Sequence, residues 1–201
     1  TALTLIIGTP LAYFYNMYKI KGKTFLQIII ILCSMSAPFI GAYSWILLLG
    51  RNGLITNTIR NLIGFNVPSI YGFGGILLVL CMQLYPLVFL YVSGALRNID
   101  NSLLEASENM GCTGARRFFK IIIPLCIPTI LAAALMVFMR AFADFGTPLF
   151  IGEGYRTFPV EIYNQFMNET GSDKNFASAV SIIAIIITSL IFRSEEHTSE
   201  L

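Results

Sequence analysis

The chain has 201 residues, 56% of them hydrophobic and 12% charged, with a net charge of +2 and a mean hydropathy of +0.74. Soluble domains carry roughly 25% charged and about 45–50% apolar residues, so this composition argues against a soluble enzyme, a nucleic-acid binder or a disordered tail. A net charge this small points to no polyanionic partner. A helix needs about 20 apolar residues to cross a ~30 Å hydrocarbon core, and five crossings would use about half of the chain. The expected fold class is all-α, a polytopic membrane helical bundle.

The chain opens at Thr1-Ala2-Leu3, already inside an apolar run and without a signal-peptide pattern. It reads as a fragment that lacks its beginning. A first span is expected over 3–18, followed by the basic hinge Lys19-Ile20-Lys21-Gly22-Lys23. The second, 25–49, is interrupted by Pro38 and Gly41, which membrane helices tolerate because neighbours satisfy the freed backbone groups. Residues 51–71 are more polar, but Ile55, Ile59, Leu62 and Ile63 recur at helical spacing. That spacing predicts a short helix lying on the membrane surface. The third span is 73–96, the fourth 124–150 with Pro128 inside it, and the fifth 176–192; a charged connection, 97–123, and a polar loop, 152–175, separate them.

Residues 193–201 break the pattern with an abrupt charged run. This nonapeptide resembles the conceptual translation of a sequencing adapter and is read as non-native. The expected domain is therefore 1–192.

Cys33, Cys81, Cys112 and Cys126 show no metal-type spacing, and the single histidine is His197. No disulfide framework, metal site or catalytic histidine is expected. Loop charge sets the orientation. Lys19, Lys21, Lys23, Arg97, Arg116, Arg117 and Lys120 fall on one side of a five-span chain; Arg51, Arg60, Arg156 and Lys174 fall on the other. The first side is read as cytoplasmic.

The 97–123 connection carries the informative pattern. Glu105-Ala106-Ser107 is followed after three residues by Gly111, and after nine more by Ile121, Ile123 and Pro124. This resembles the EAA loop of the permeases of binding-protein-dependent ABC importers, EAA-x3-G-x9-I-x-L-P, with Ser107 and Ile123 as mild departures. The likeness extends over about 1–192 in span order and in the side on which the motif lies. It implies a type I ABC importer (MetI-like) permease core. The 97–124 segment would be the cytoplasmic loop that transmits movement of the ATPase, with Glu105, Ala106, Ser107, Gly111, Ile121, Ile123 and Pro124 as coupling residues.

Local physics supports a docking element independently. Ser102-x-x-Glu105 is a capping-box pattern that predicts a helix from near Leu103. Leu103, Leu104, Ser107 and Met110 give it one apolar or small face. Gly111 suits a left-handed helix stop, and Thr113 can cap a second helix carrying Arg116, Arg117, Phe118 and Phe119. Pro124 marks entry into the next span. An eight-residue helix is marginal alone, so it needs a partner surface; the bland alternative is a connector packed on its own bundle.

Other patterns carry less. Gly22-Lys23-Thr24 imitates the end of a P-loop, but Met17 stands where the first glycine belongs and no strand–helix unit surrounds it. Gly72-x-Gly74-Gly75 opens a span, and Asn168-Glu169-Thr170 is a chance-level glycosylation triplet. Gln83 and Tyr85 read as packing and hydrogen-bonding groups rather than a substrate site. Arg140 and Asp144, four apart on the fourth span, would share a helix face. They read either as part of the translocation path or its gate, or as a self-neutralising pair near the membrane surface.

The stretch Phe142-Ala143-Asp144-Phe145-Gly146-Thr147-Pro148, with Phe158-Pro159-Val160-Glu161-Ile162-Tyr163, resembles the ferric-iron permeases. Asn52-Gly53-Leu54 and Ile70-Tyr71-Gly72 add to this, and polyamine and aminophosphonate permeases are near relatives. The resemblance implies a non-catalytic subunit in a bacterial-type inner membrane, with no cofactor in this chain because ATP is bound by partner ATPase subunits. Its other implied partners are a second permease half, fused or separate, an extracytoplasmic substrate-binding protein and the lipid bilayer; no nucleic acid is implied. A non-transport scaffold or intramembrane enzyme is the competing class. It lacks support because the spans hold no Asp–Asp pair and no Ser–Lys dyad.

Overall fold

The computed structural model describes residues 1–18, 21–35, 38–64, 69–167 and 174–199. Among them it is built of helices: α1 (Ala2–Met17), α2 (Lys23–Ser34), α3 (Pro38–Leu49), α4 (Leu54–Ile63), α5 (Phe73–Arg97) and α6 (Asn101–Asn109). There follow α7 (Gly114–Arg117), a π-helical turn (Phe118–Ile122), α8 (Ile123–Ala143), α9 (Gly146–Ile151), α10 (Phe158–Met167) and α11 (Lys174–Ser199). Three helical stretches are long and apolar enough to cross a membrane unaided: Phe73–Arg97, Phe118–Ala143 and Lys174–Arg193. The sequon triplet at 168–170 lies outside the described residues.

One expected span is broken and another displaced. The 25–49 run is two helices of 12 residues each; each alone falls short of the ~20 residues a crossing needs, and together they are apolar enough for one broken span or a re-entrant loop. Pro38 opens α3; it supplies no N–H to a preceding carbonyl, so it suits a helix start better than a helix interior. The 124–150 run is displaced: its helix begins at Phe118 and ends at Ala143. The short helix expected from the isoleucine spacing is present as α4.

The chain forms two compact units. The first comprises Thr1–Ser34 and Leu84–Phe138. Here α1 buries Thr4, Gly8, Ala12 and Tyr15, spaced by four, four and three residues along one helix face. Gly8 meets Val88, and the Tyr15 ring meets Phe89 edge-on at a centroid distance of 5.2 Å, beside the buried Val92 of α5. Gly8 makes this approach possible, since a Cβ placed there would stand 2.7 Å from the Val88 side chain. Close backbone approach through small residues is how membrane helices associate, because lipid is as apolar as leucine. Polar groups fix the register: Asn16 Nδ2 donates to Ser93 Oγ at 2.9 Å, and Tyr15 Oη to Gln27 Oε1 at 2.9 Å. Arg97 donates to the same Gln27 oxygen at 3.1 Å.

The second unit comprises Met35–Gln83 and Met139–Leu201. Its core gathers Ala42, Ile70, Ile76, Val79 and Ile151, with Trp45, Leu49 and Tyr71 packed around them. A backbone bond from Gly72 N–H to the Ile151 carbonyl, 2.8 Å, ties the start of α5 to the end of α9. The edge of Phe39 meets Phe145 and Phe150 at centroid distances of 6.1 and 6.2 Å. On α10, Glu161 accepts from Gln165 at 2.9 Å and from Arg156 at 3.3 Å. The Gln165 bond first, then the Arg156 charge, holds the Glu161 carboxyl below its ordinary range.

Candidate functional site

The 97–124 segment folds as a helix, a turn and a second helix. Asp100 caps α6: its carboxylate accepts from Ser102 N–H at 2.9 Å. The helix therefore starts two residues before the expected Leu103. Glu105 lies beyond the capping position and is exposed, so the capping-box role expected of it is not realised. Two cap candidates competed, and the carboxylate just ahead of the first turn won. The bonds from Ser102 hold the Asp100 carboxyl below its ordinary range. A lowered carboxylate stabilises the fold above its ordinary value and loses that effect as pH falls through the lowered one. Amide exchange across 101–109, corrected for intrinsic rates, is thus expected to accelerate on the acid side of the ordinary carboxylate range. Asp100→Asn should abolish that pH dependence; an unchanged profile would remove Asp100 as the cap.

The far end of α6 closes as a Schellman motif. Gly111 N–H donates to the Glu108 carbonyl at 2.9 Å and Cys112 N–H to the Ser107 carbonyl at 2.9 Å, the two bonds that define it. Gly111 has φ +76°, the left-handed region expected from sequence. A Cβ there would meet no atom within 4 Å, so the requirement is one of backbone conformation, not of space. An Arg117–Glu108 contact at 3.6 Å joins α7 back to α6. Spacing alone did not mark this pair.

The burial pattern separates inner from outer residues. Ser107 is 2% exposed, whereas Leu103 is 51% and Met110 79% exposed. Ala106, on the same side as Leu103 and Met110, is exposed too. The expected second helix does not stop at Pro124. Ile123 N–H bonds to the Phe118 carbonyl, five residues back, and the chain runs on through Pro124 into α8. Ile122, not singled out from the motif, is the buried residue here; Ile121 and Ile123 are half-buried and Pro124 exposed.

The Arg140–Asp144 reading is corrected. Asp144 lies outside α8, which ends at Ala143, and no ion pair joins it to Arg140. Its Oδ2 instead accepts from Thr147 N–H at 3.0 Å, at the start of α9. Pro148, third in α9, has no N–H to give the Asp144 carbonyl, so a continuous helix would leave that acceptor unpaired. Asp144→Ala is expected to cost about 1 kcal/mol, a capping loss, while Asp144→Asn keeps an acceptor. With no shared bond, Arg140→Gln should add independently to Asp144→Ala in thermal melts. A double variant milder than Asp144→Ala alone would restore the paired reading. Gln83, expected to form hydrogen bonds, keeps its Oε1 buried without a partner among the described residues.

Comparison with known proteins follows the same lines. The model of the family "Binding-protein-dependent transport system inner membrane component" matches residues 4–194. The ferric transport system permease protein FbpB of Actinobacillus pleuropneumoniae is 32% identical over 194 residues, covering 93% of this chain and 28% of that protein. A putative 2-aminoethylphosphonate transport system permease protein, PhnU, of Salmonella choleraesuis is 26% identical over 196 residues, covering 96% and 68%. The chain thus spans under a third of the length of the ferric relatives it matches. A bacterial ABC transporter involved in the import of the acidic polysaccharide alginate superposes with a TM-score of 0.78 at 18% identity, covering 99% of this chain and 74% of the other. At that identity the likeness is one of fold alone. The motif spacing, the helical architecture and the family match over nearly the whole chain agree: this chain belongs to the inner-membrane components of binding-protein-dependent transport systems.

Proposed function

We propose that the chain is the pathway-forming permease part of an ABC importer, coupled through residues 97–124 to a cytoplasmic ATPase. The observation that carries this reading is the outward apolar face of Leu103, Ala106 and Met110 on a helix whose two ends are both fixed by caps. Exposed apolar surface of this kind on a short, rigidly held helix is suited to docking. Ser107, Gly111, Ile121, Ile123 and Pro124 then serve the fold and orientation of that face, and the exposed Glu105 is offered to the partner. A second permease half and an extracytoplasmic binding protein complete the assembly, and ATP stays with the ATPase. Arg140 and Asp144 remain assigned to the neighbourhood of the pathway as separate groups.

Ferric iron is the substrate we favour. The ferric relatives are 32% and 30% identical, against 26% for the phosphonate relatives. Polyamine and aminophosphonate import are the alternatives, and uptake assays with each substrate would separate them.

One experiment tests both side and docking. A Met110→Cys permease is expected to react with a membrane-impermeant maleimide in inside-out vesicles and to stay protected in intact cells. The bulky adduct should then prevent ATPase binding. Labelling from outside, or full ATPase binding by the adduct, would defeat the proposal.

A further inference from the structure

The start of α4 opens a polar pocket of about 310 Å³ lined by Leu49, Gly50, Arg51, Asn52, Thr56, Arg60 and Ser69. We propose that this pocket is an oxyanion site that takes a phosphate group, from a lipid headgroup or from free phosphate. Five observations converge on it. Thr56 is only 4% exposed, and its Oγ1 has no hydrogen-bond partner among the described residues. A buried hydroxyl left unpaired is costly, and an anion in the pocket would accept its proton. Arg60, one turn further along the same face of α4, has no side-chain partner among the described residues. Arg51 is held by Glu153 and lies over the Tyr71 ring at 5.3 Å. That contact engages one guanidinium nitrogen of Arg51 and orients the rest, since the fork carries five donors.

The helix start adds to the field. Gly53 is the N-cap and offers no side-chain acceptor to the first amides, so these are free to face an anion. Ser69 Oγ accepts from Tyr71 N–H at 3.2 Å, which leaves its own proton to donate. Glu153, the carboxylate beside Arg51, is already paired with it. A lipid source is natural because the same helix exposes Leu54 (71%) and Leu62 (79%), apolar side chains suited to the interfacial layer where headgroups lie.

The test uses the intact permease purified in a neutral detergent. Native mass spectrometry would count bound phosphatidylglycerol against phosphatidylcholine, and calorimetry would titrate inorganic phosphate. Saturable phosphatidylglycerol binding displaced by phosphate identifies the headgroup; phosphate binding without a lipid preference identifies the free anion. In either case Arg60→Gln and Thr56→Val should each weaken binding about tenfold, the loss of one hydrogen bond to a charged group, while Lys21→Gln should not. Arg60 is exposed, so its variant tests the site without disturbing a core. Binding that both variants leave unchanged, or no binding of either probe, would overturn the proposal.

Discussion

Replacing Gly111 by valine is expected to leave the permease in the membrane at normal abundance, lower its recovery with the ATPase and abolish uptake. The residue holds φ +76°, a conformation that costs an L-residue about 1–2 kcal/mol and costs a β-branched one more. Empty space surrounds the position, so the strain cannot be traced to a clash and relaxes only by turning the backbone. Turning it breaks the pair of bonds from Gly111 and Cys112 to the end of α6 and swings the Leu103–Met110 face away from its set direction. No span loses apolar surface, which is why insertion should survive. Uptake and ATPase pull-down are measured at matched membrane abundance. Gly111→Asn, tolerant of the same region, should retain part of both. Wild-type uptake by Gly111→Val would mean that the turn carries no signal.

A different failure is expected at Gly8. Leucine there must enter space where a Cβ would already stand 2.7 Å from Val88 Cβ and Cγ1 and 3.1 Å from the Tyr85 carbonyl. Neither Val88 Cβ nor the carbonyl is the movable end of a flexible side chain, so α1 and α5 must part. Overpacking of this kind costs about 1–3 kcal/mol. Separation would also break the Asn16–Ser93 bond, leaving two polar groups within apolar surroundings. Gly8→Leu should therefore lower both steady-state abundance and Tm, and Gly8→Ala should do so less. A Gly8→Leu protein that melts like the parent would mean that the two helices do not pack through this glycine.

These contrasts explain what the sequence could disclose. Apolar runs mark helices wherever 20 or so residues lack punctuation, as at Phe73–Arg97. They mislead where one side chain rewrites the backbone pairing. Pro38 turned one expected span into two helices. At the end of α8 an aspartate that can bond a later amide, followed by Gly146 and Pro148, stopped a helix whose hydropathy continued to Phe150. Charge spacing of four then suggested an Arg140–Asp144 pair, because spacing presumes that the helix goes on. In the loop, Gly111 was legible since its backbone demand is local. The Asp100 cap was not, because Asp100 and Ser102, two positions apart, offered the same chemistry and only the three-dimensional start of α6 chose between them. The burial of Ser107 and Ile122, and the pairing of Glu108 with Arg117, depend on what packs alongside, and no motif encodes that.

The turn Phe118–Ile122 bears on how the motif's two halves are aligned in angle. Each residue of an α-helix advances about 100° around the axis, and a π-helical turn holds one residue more than an α-turn. A helical wheel drawn from Gly114 straight through to Ala143 is therefore out of phase by about that amount on the two sides of the turn. Arg117 keeps the azimuth set by its contact with Glu108 of α6, while Phe118, whose ring packs on Tyr13 of α1, and the buried Ile122, Cys126, Ala133 and Val137 keep the azimuth of the bundle. The surplus residue lets the loop and the span each face their own surroundings within one unbroken rod.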